Sequence, residues 1–184
     1  MENSSIILDK LEKHFKPISI FLYGSRARAD FLERSDYEVG VLFKRDRKVS
    51  RSELKELNTL QGVNLYPFEY EDFLNYKIDT PFPETIYFRE LIEGGQTIFG
   101  EQVIEKMRAP AIKAVDLLKR VSFDTASALA AVLSYRHGDI VTASMEFSKS
   151  CFFGIRCLII LKQNKFPLTY DDIYKNSLEL RFDR

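Results

Sequence analysis

The stretch from Ile18 to Phe43, ISIFLYGSRARADFLERSDYEVGVLF, constrains the fold more than any other part of the chain. Ile18 to Tyr23 is a short β-branched and aromatic run with the composition of a buried strand. Gly24 breaks it: glycine adopts positive φ without steric penalty and lets another group approach the backbone. Ser25 follows with a hydroxyl at a point where the first amides of a helix would lack partners, an arrangement suited to phosphate. Tyr37 to Phe43 again reads as a strand, and side chains alternate faces along a strand, so Asp36 and Glu38 are expected to point the same way. Two carboxylates crowded on one face repel unless a cation lies between them, and an all-oxygen site of that kind suits Mg²⁺ or Mn²⁺. A phosphate-friendly turn followed by paired acids therefore predicts a metal and nucleotide site.

The remainder of the chain supplies elements around this stretch. Residues 4–15 place Ile7, Leu11 and Phe15 at four-residue spacing, an amphipathic helix ended by Lys16-Pro17, with His14 at its surface. Asp30 reads as a surface acid, while Arg26 and Arg28 either approach phosphate or face solvent. Lys44 to Lys48 is a solvated charge run. Ser50-Arg51-Ser52-Glu53 then starts a helix running to about Gln61, and Gly62 stops it. Val63 to Phe68 is a third strand with Asn64 and Tyr66 on one face, and Pro67 marks it as an edge strand or as a strand that is ending. Two helical pieces follow, separated by Asp79-Thr80-Pro81-Phe82-Pro83, and Gln96 to Gly100 is a short closing strand.

From Glu101 the period changes from two to 3.6. Ile112, Val115 and Leu118 or Lys119 mark one helix; Ala126, Leu129 and Val132 or Leu133 a second. Ile140, Ser144, Phe147, Cys151, Ile155 and Leu158 mark a third, and Tyr170 to Leu180 a fourth. His137-Gly138-Asp139 joins two of them, with His137 as a helix-terminal residue. These helices are read as surfaces for packing and dimerisation rather than chemistry. The order of elements predicts an α+β chain: an N-terminal α/β domain with a mixed sheet over residues 1–100, then a C-terminal helical bundle over residues 101–184.

Gly24-Ser25-Arg26-Ala27-Arg28 followed by Ser35-Asp36-Tyr37-Glu38 resembles the G-S-x-A-R…S-D-x-D/E signature of the nucleotidyltransferase superfamily that includes DNA polymerase beta. It is most similar to the minimal nucleotidyltransferases and to antibiotic-modifying members. The resemblance implies that Gly24, Ser25 and Arg28 bind nucleotide phosphates, and that Asp36 and Glu38 are the catalytic, Mg²⁺- or Mn²⁺-binding acids. It implies transfer of a nucleoside monophosphate from a nucleoside triphosphate, ATP first, to a hydroxyl of a small molecule or a partner protein, as in toxin–antitoxin pairs. Three positions depart from the pattern. Ala29 stands where the family usually has Gly, and Glu38 where Asp is commoner. Asn64 stands where a third acid would fall, with Glu69 or Glu71 as substitutes for it or as first-turn acids of the next helix. Asn64 also opens an alternative, a catalytically degenerate nucleotide-binding or antitoxin-like module. The helical half resembles the bundles of antibiotic nucleotidyltransferases and HEPN domains, but no histidine has arginine five positions before it, so no HEPN-type RNA cleavage is expected.

Charge excludes other classes. Lys plus Arg equal Asp plus Glu at 27 each, so the chain lacks the basic excess of a protein that grips many nucleic-acid phosphates. Cys151 and Cys157, six apart on one helix, face different ways, which argues for reduced thiols and a cytoplasmic setting. No apolar run is long enough for a membrane span and no signal-type leader is read, while a homodimer stays open.

Overall fold

In this computed structural model the described residues are 2–31, 33, 35–46, 48–58, 61–80 and 82–181, with side chains described from residue 8 onward except at 57. Arg47 of the charged loop, residues 59 and 60 of the expected helix end, Pro81 and the Ile7 side chain lie outside them. The strands are β1 (Ser19–Tyr23), β2 (Tyr37–Phe43), β3 (Val63–Glu69) and β4 (Gln96–Gly100). The helices are α1 (Glu2–Phe15), α2 (Gly24–Ala27), α3 (Arg51–Leu57), α4 (Tyr70–Leu74), α5 (Glu84–Gly94), α6 (Ala114–Arg136), α7 (Ile140–Gln163) and α8 (Tyr170–Ser177). Two compact units divide the chain: Met1–Thr80 with Tyr87–Pro110, and Pro81–Ile86 with Ala111–Arg184. None of the described helices is long and apolar enough to cross a membrane.

The first unit is a mixed sheet in the order β3-β2-β1-β4. β1 runs antiparallel to β2 and β4, and the α3 crossover lets β2 and β3 run parallel. β3 is an edge strand, which accommodates Pro67 and its missing donor. The alternation of side chains splits the core between two faces. Phe21, Leu42 and Phe68 meet Phe73 of α4 and Phe88 of α5 on one, and Ile20, Val41 and Leu65 meet Leu11 of α1 and Leu54 of α3 on the other. The Phe21 ring crosses β2 at Gly40, where a Cβ would overlap it, and stacks on Phe68 at 5.7 Å. Each such buried side chain contributes about 2 kcal/mol. The α3 capping box, Ser50 with Glu53, forms as the sequence predicts, but the helix stops at Leu57, short of Gln61.

The second unit corrects the sequence expectation at α6 and adds a feature that the period did not show. The two helices expected before His137 are one: α6 runs unbroken for 23 residues, and it starts two residues after Ile112. Ser122 and Thr125 interrupt the apolar stripe but not the helix, because their hydroxyls donate to Leu118 O and Val121 O one turn back. The polarity of α6 is also inverted. It buries Asp116, Arg120, Asp124 and Ala131, while Val115, Leu118, Leu129, Val132 and Leu133 are exposed. Arg120 Nε donates to both Asp124 oxygens at 3.1 and 3.0 Å, and its guanidinium lies 4.3 Å from the Phe153 ring centre. Asp116 accepts from the Thr85 hydroxyl at 2.6 Å and amide at 3.3 Å. Arg156 of α7, 1 % exposed, lies over the rings of Phe153 and Phe166. The turn to α7 matches expectation: His137 is the C-cap of α6, Gly138 has φ +86°, and Asp139 caps α7 by accepting from Thr142 N. That short link makes α6 and α7 antiparallel neighbours, which pack along each other.

Candidate functional site

The site lies at the edge of the sheet where β1 ends and β2 and β3 begin. In-register pairing puts Glu38 between Tyr23 of β1 and Asn64 of β3. Gly24 follows β1 with φ +75°, and a Cβ on it would overlap Glu38 Oε2. Glycine is therefore required twice over, for the left-handed turn and for the carboxylate that lies against it. Asp36, just before β2, accepts from Asn64 Nδ2 at 3.0 Å. Both carboxylates reach the Tyr66 hydroxyl electrostatically. Its pKa is raised chiefly by burial, then by Glu38 and Asp36, against the opposing pull of Arg51. Asp36, Glu38, Asn64 and Tyr66 thus share one neighbourhood, as the strand parity of the sequence predicts.

Beneath the acids lie three phenols. Tyr87 of α5 donates to the Tyr23 hydroxyl at 3.2 Å, and the Tyr23 ring packs against Tyr87 and Tyr66. Burial drives the Tyr23 and Tyr87 pKa values far above the usual phenol range, and Glu38 raises both further. Glu90, on the same helix as Tyr87, raises the Tyr87 pKa as well; both phenols stay neutral and add no charge of their own beside the two acids. The Arg51 guanidinium lies 4.5 Å from the Tyr66 ring centre and places a cation beside them. The sequence carried a signal for two of the phenols: Tyr66 is two residues from Asn64, on the same strand face, and Tyr23 directly precedes Gly24. Arg51 and Tyr87 come from other elements, and nothing local marks them.

Asp30 differs from expectation, and the two arginines are held by the motif's own loop. Arg26 is half-buried: Nε donates to Ser35 O at 2.9 Å, one terminal nitrogen donates to Glu33 O at 2.9 Å, and the guanidinium lies over Phe31 and Tyr37. It ties the loop that carries Asp36 back to the Gly24 turn. Arg28 lies beside Gly94 and pairs with Asp30 at 3.5 Å, with only 13 % and 11 % of the two side chains exposed. Asp30 is thus no surface acid. Ala29 has φ +59°, a conformation that glycine adopts freely, which gives a physical reason for the glycine usual at this point of the motif.

Neither Glu69 nor Glu71 is seen to take the place of Asn64. Glu69 pairs with Phe43 at the other end of β3, about 17 Å from Asn64, and its side chain caps α4 by accepting from Glu71 N and Asp72 N. Glu71 follows it as a first-turn acid of α4. Among the described residues no cluster of three His, Cys, Asp or Glu side chains exists that would hold a metal ion. Two carboxylates and the oxygen of an amide nonetheless form a hard-donor set, and Mg²⁺ is commonly held by one or two carboxylates with substrate phosphates and water as its other ligands.

The model of the polymerase beta nucleotidyltransferase domain matches residues 6–102, more than half of the chain. The chain belongs to this nucleotidyltransferase family. No curated protein matches it in sequence. Spectinomycin adenyltransferase AAD(9) from Enterococcus faecialis, solved with ATP and spectinomycin, is similar in fold, with a TM-score of 0.55 at 12% identity over 100% of this chain and 92% of its own. A toxin–antitoxin complex solved with AMP-PNP aligns over 76% of this chain and 97% of its own, at 18% identity and a TM-score of 0.37.

Proposed function

We propose that this family member transfers a nucleoside monophosphate from a nucleoside triphosphate, ATP first, to a hydroxyl of a small molecule or a partner protein. The observation that carries the reading is the placement of Glu38 against Gly24, with Asp36 beside it on the same end of the sheet. Gly24 and Ser25 would position the triphosphate, and Arg28, moderated by Asp30, would add positive charge nearby. Asp36 and Glu38 would hold a divalent cation, Mg²⁺ or Mn²⁺, which supplies charge neutralisation at the phosphates. In the reaction the acceptor oxygen bonds to the α-phosphorus, the α–β anhydride bond breaks, and pyrophosphate leaves in line. Asn64 cannot take the acceptor's proton, so that proton leaves to solvent or to a group on the acceptor. The phenols of Tyr23, Tyr66 and Tyr87, their pKa values raised by burial, would line the base of the site as neutral groups.

A second reading rests on the Asn64 to Asp36 hydrogen bond. Where a third carboxylate would add charge, a neutral amide satisfies Asp36 instead, which suits a module that binds nucleotide without turning it over. The reduced cysteines fit a cytoplasmic setting under either reading.

The deciding experiment is thermal unfolding with each nucleoside triphosphate, with and without Mg²⁺, on wild type and Asp36→Asn, alongside transfer of labelled nucleoside monophosphate. Nucleotide at a hundred times its dissociation constant stabilises the fold by about 2.7 kcal/mol, and the proposal requires that this gain depend on metal and vanish in the variant. Transfer should fall about 1,000-fold in Asp36→Asn, equivalent to about 4 kcal/mol of barrier. Nucleotide binding without turnover over a range of acceptors would favour the second reading. Transfer by Asp36→Asn at the wild-type rate would sink both the site and the proposal.

A further inference from the structure

The strand order gives the two sides of the acids different roles. β2, which carries Glu38, lies between β1 and β3. The Gly24 turn follows β1, and β3 lies beyond β2, about 10 Å from β1 at the usual strand spacing. Displacement in line puts the attacking oxygen opposite the leaving pyrophosphate. With the triphosphate at the β1 turn, the acceptor comes in on the β3 side. Asn64, Tyr66 and Arg51 are the site residues on that side, and none is negative. Asn64 is neutral where a carboxylate would repel an anion. Tyr66 keeps its proton, because burial above all raises its pKa. Arg51 is exposed, with its guanidinium 4.5 Å from the Tyr66 ring centre. The acid nearest to it along the chain, Glu53, is turned to the helix start, where Oε2 accepts from Ser50 N at 2.6 Å. A guanidinium ordered on a ring offers its N–H fork to a carboxylate or phosphate at little further cost in entropy.

We propose that the acceptor is a small molecule with an anionic group, phosphate or carboxylate, close to the hydroxyl that receives the nucleotide, and that Arg51, held on the Tyr66 ring, binds this group. The inference rests on the transfer reaction proposed above and adds the acceptor's class to it. In that reaction the acceptor's hydroxyl oxygen bonds to the α-phosphorus, and the bond from this phosphorus to the bridging oxygen of pyrophosphate breaks. The hydroxyl proton leaves to solvent. Arg51 takes part in neither bond; it fixes the acceptor, so its contribution belongs in the acceptor's KM. One cation beside the acids suits one charged group rather than a polymer with many phosphates. An acceptor bearing an amine would meet Arg51 with like charge, which discriminates against it.

The test follows label from ATP, with Mg²⁺ present, onto acceptors sorted by charge. Glycerol phosphate, glycerate, glycerol and aminopropanediol form a matched series, and a cell extract split by anion and cation exchange widens it. Label should pass chiefly to small molecules that anion exchange retains, and glycerol phosphate against glycerate tells phosphate from carboxylate as the group bound. For the best acceptor found, Arg51→Gln should raise KM at least about 10-fold, the loss of a hydrogen-bonded charge. The acceptor's kcat, the KM for ATP and thermal unfolding should stay as in wild type, because Arg51 is exposed and lies on the acceptor side. Arg51→Lys, which keeps the charge without the planar fork, should recover part of the loss. Transfer chiefly to neutral or amine-bearing molecules, or to protein, overturns the proposal. So does an acceptor KM that Arg51→Gln leaves unchanged, or a KM for ATP that it raises instead. Metal-dependent ATP binding with no transfer to any acceptor overturns the transfer reading itself, and the acceptor class falls with it.

Discussion

Along β2, Val39 to Phe43 are buried between helices that the same unit provides, and the polar residues gather at one end of the strand, where Glu38 meets Gly24. Along α6 the order is reversed, with Asp116, Arg120 and Asp124 inside and Leu118 and Leu129 outside. The two regions obey the same rule with different means. A sheet with both faces covered can exclude charge from its middle and expose it at its rim, where two acids and a left-handed glycine make a site. A helix whose buried side is an ion-paired network has no apolar side left for its own unit, so its apolar stripe is available to something else.

The largest effect expected from breaking this contrast lies in the buried pair. Arg120→Ala leaves Asp124 buried without the guanidinium that donates to both its oxygens. Urea unfolding should show a loss of about 3 kcal/mol. Arg120→Met with Asp124→Leu should restore most of it, since apolar residues of similar volume commonly replace a buried pair without cost. If the single change is silent, the inverted polarity of α6 is not held by this pair.

A smaller effect is expected at the sheet's rim. Arg26→Ala removes two charge-assisted bonds to the Ser35 and Glu33 carbonyls. It should cost about 2 kcal/mol in urea unfolding and speed amide exchange at Ser35 and Asp36. Unchanged exchange at Asp36 would show that the loop holds its acid without the arginine. The smallest effect is at Ala29, whose φ of +59° is strained for any residue with a Cβ. Ala29→Gly relieves that strain but loosens the unfolded chain, so a net gain of about 0.5 kcal/mol, 1–2 °C in melting temperature, is expected. A fall in melting temperature would mean that the turn tolerates the Cβ without strain.

Much of the sheet unit was legible from residues 18–100. Its strands alternate with period two, Pro67 marks the edge, Ser50 and Glu53 form the predicted cap, and the Gly24 turn and the Asp36/Glu38 spacing point to one place. Arg26 was not legible, because a backbone carbonyl nine residues away leaves no mark on composition. Nor was the burial of Asp30, which depends on a pairing with Arg28 that local sequence suggests but does not require. In the helical unit the period of 3.6 was correct, but it did not say which side is covered. Periodicity reports that a helix has two unlike faces, and the stripe of Val115, Leu118 and Leu129 is equally regular whether it faces inward or outward.

By itself the sequence determined the strand and helix periods, the turn that needs a glycine at Gly24 and the pair of acids that follows it, because each depends on residues close together in the chain. Only the tertiary structure decided that Asn64 donates to Asp36, that Tyr87 lies beneath Glu38, that Glu69 is at the wrong end of β3, and that α6 turns its charges inward. These depend on contacts between distant segments, which are set by which surfaces can cover each other and satisfy their polar groups together.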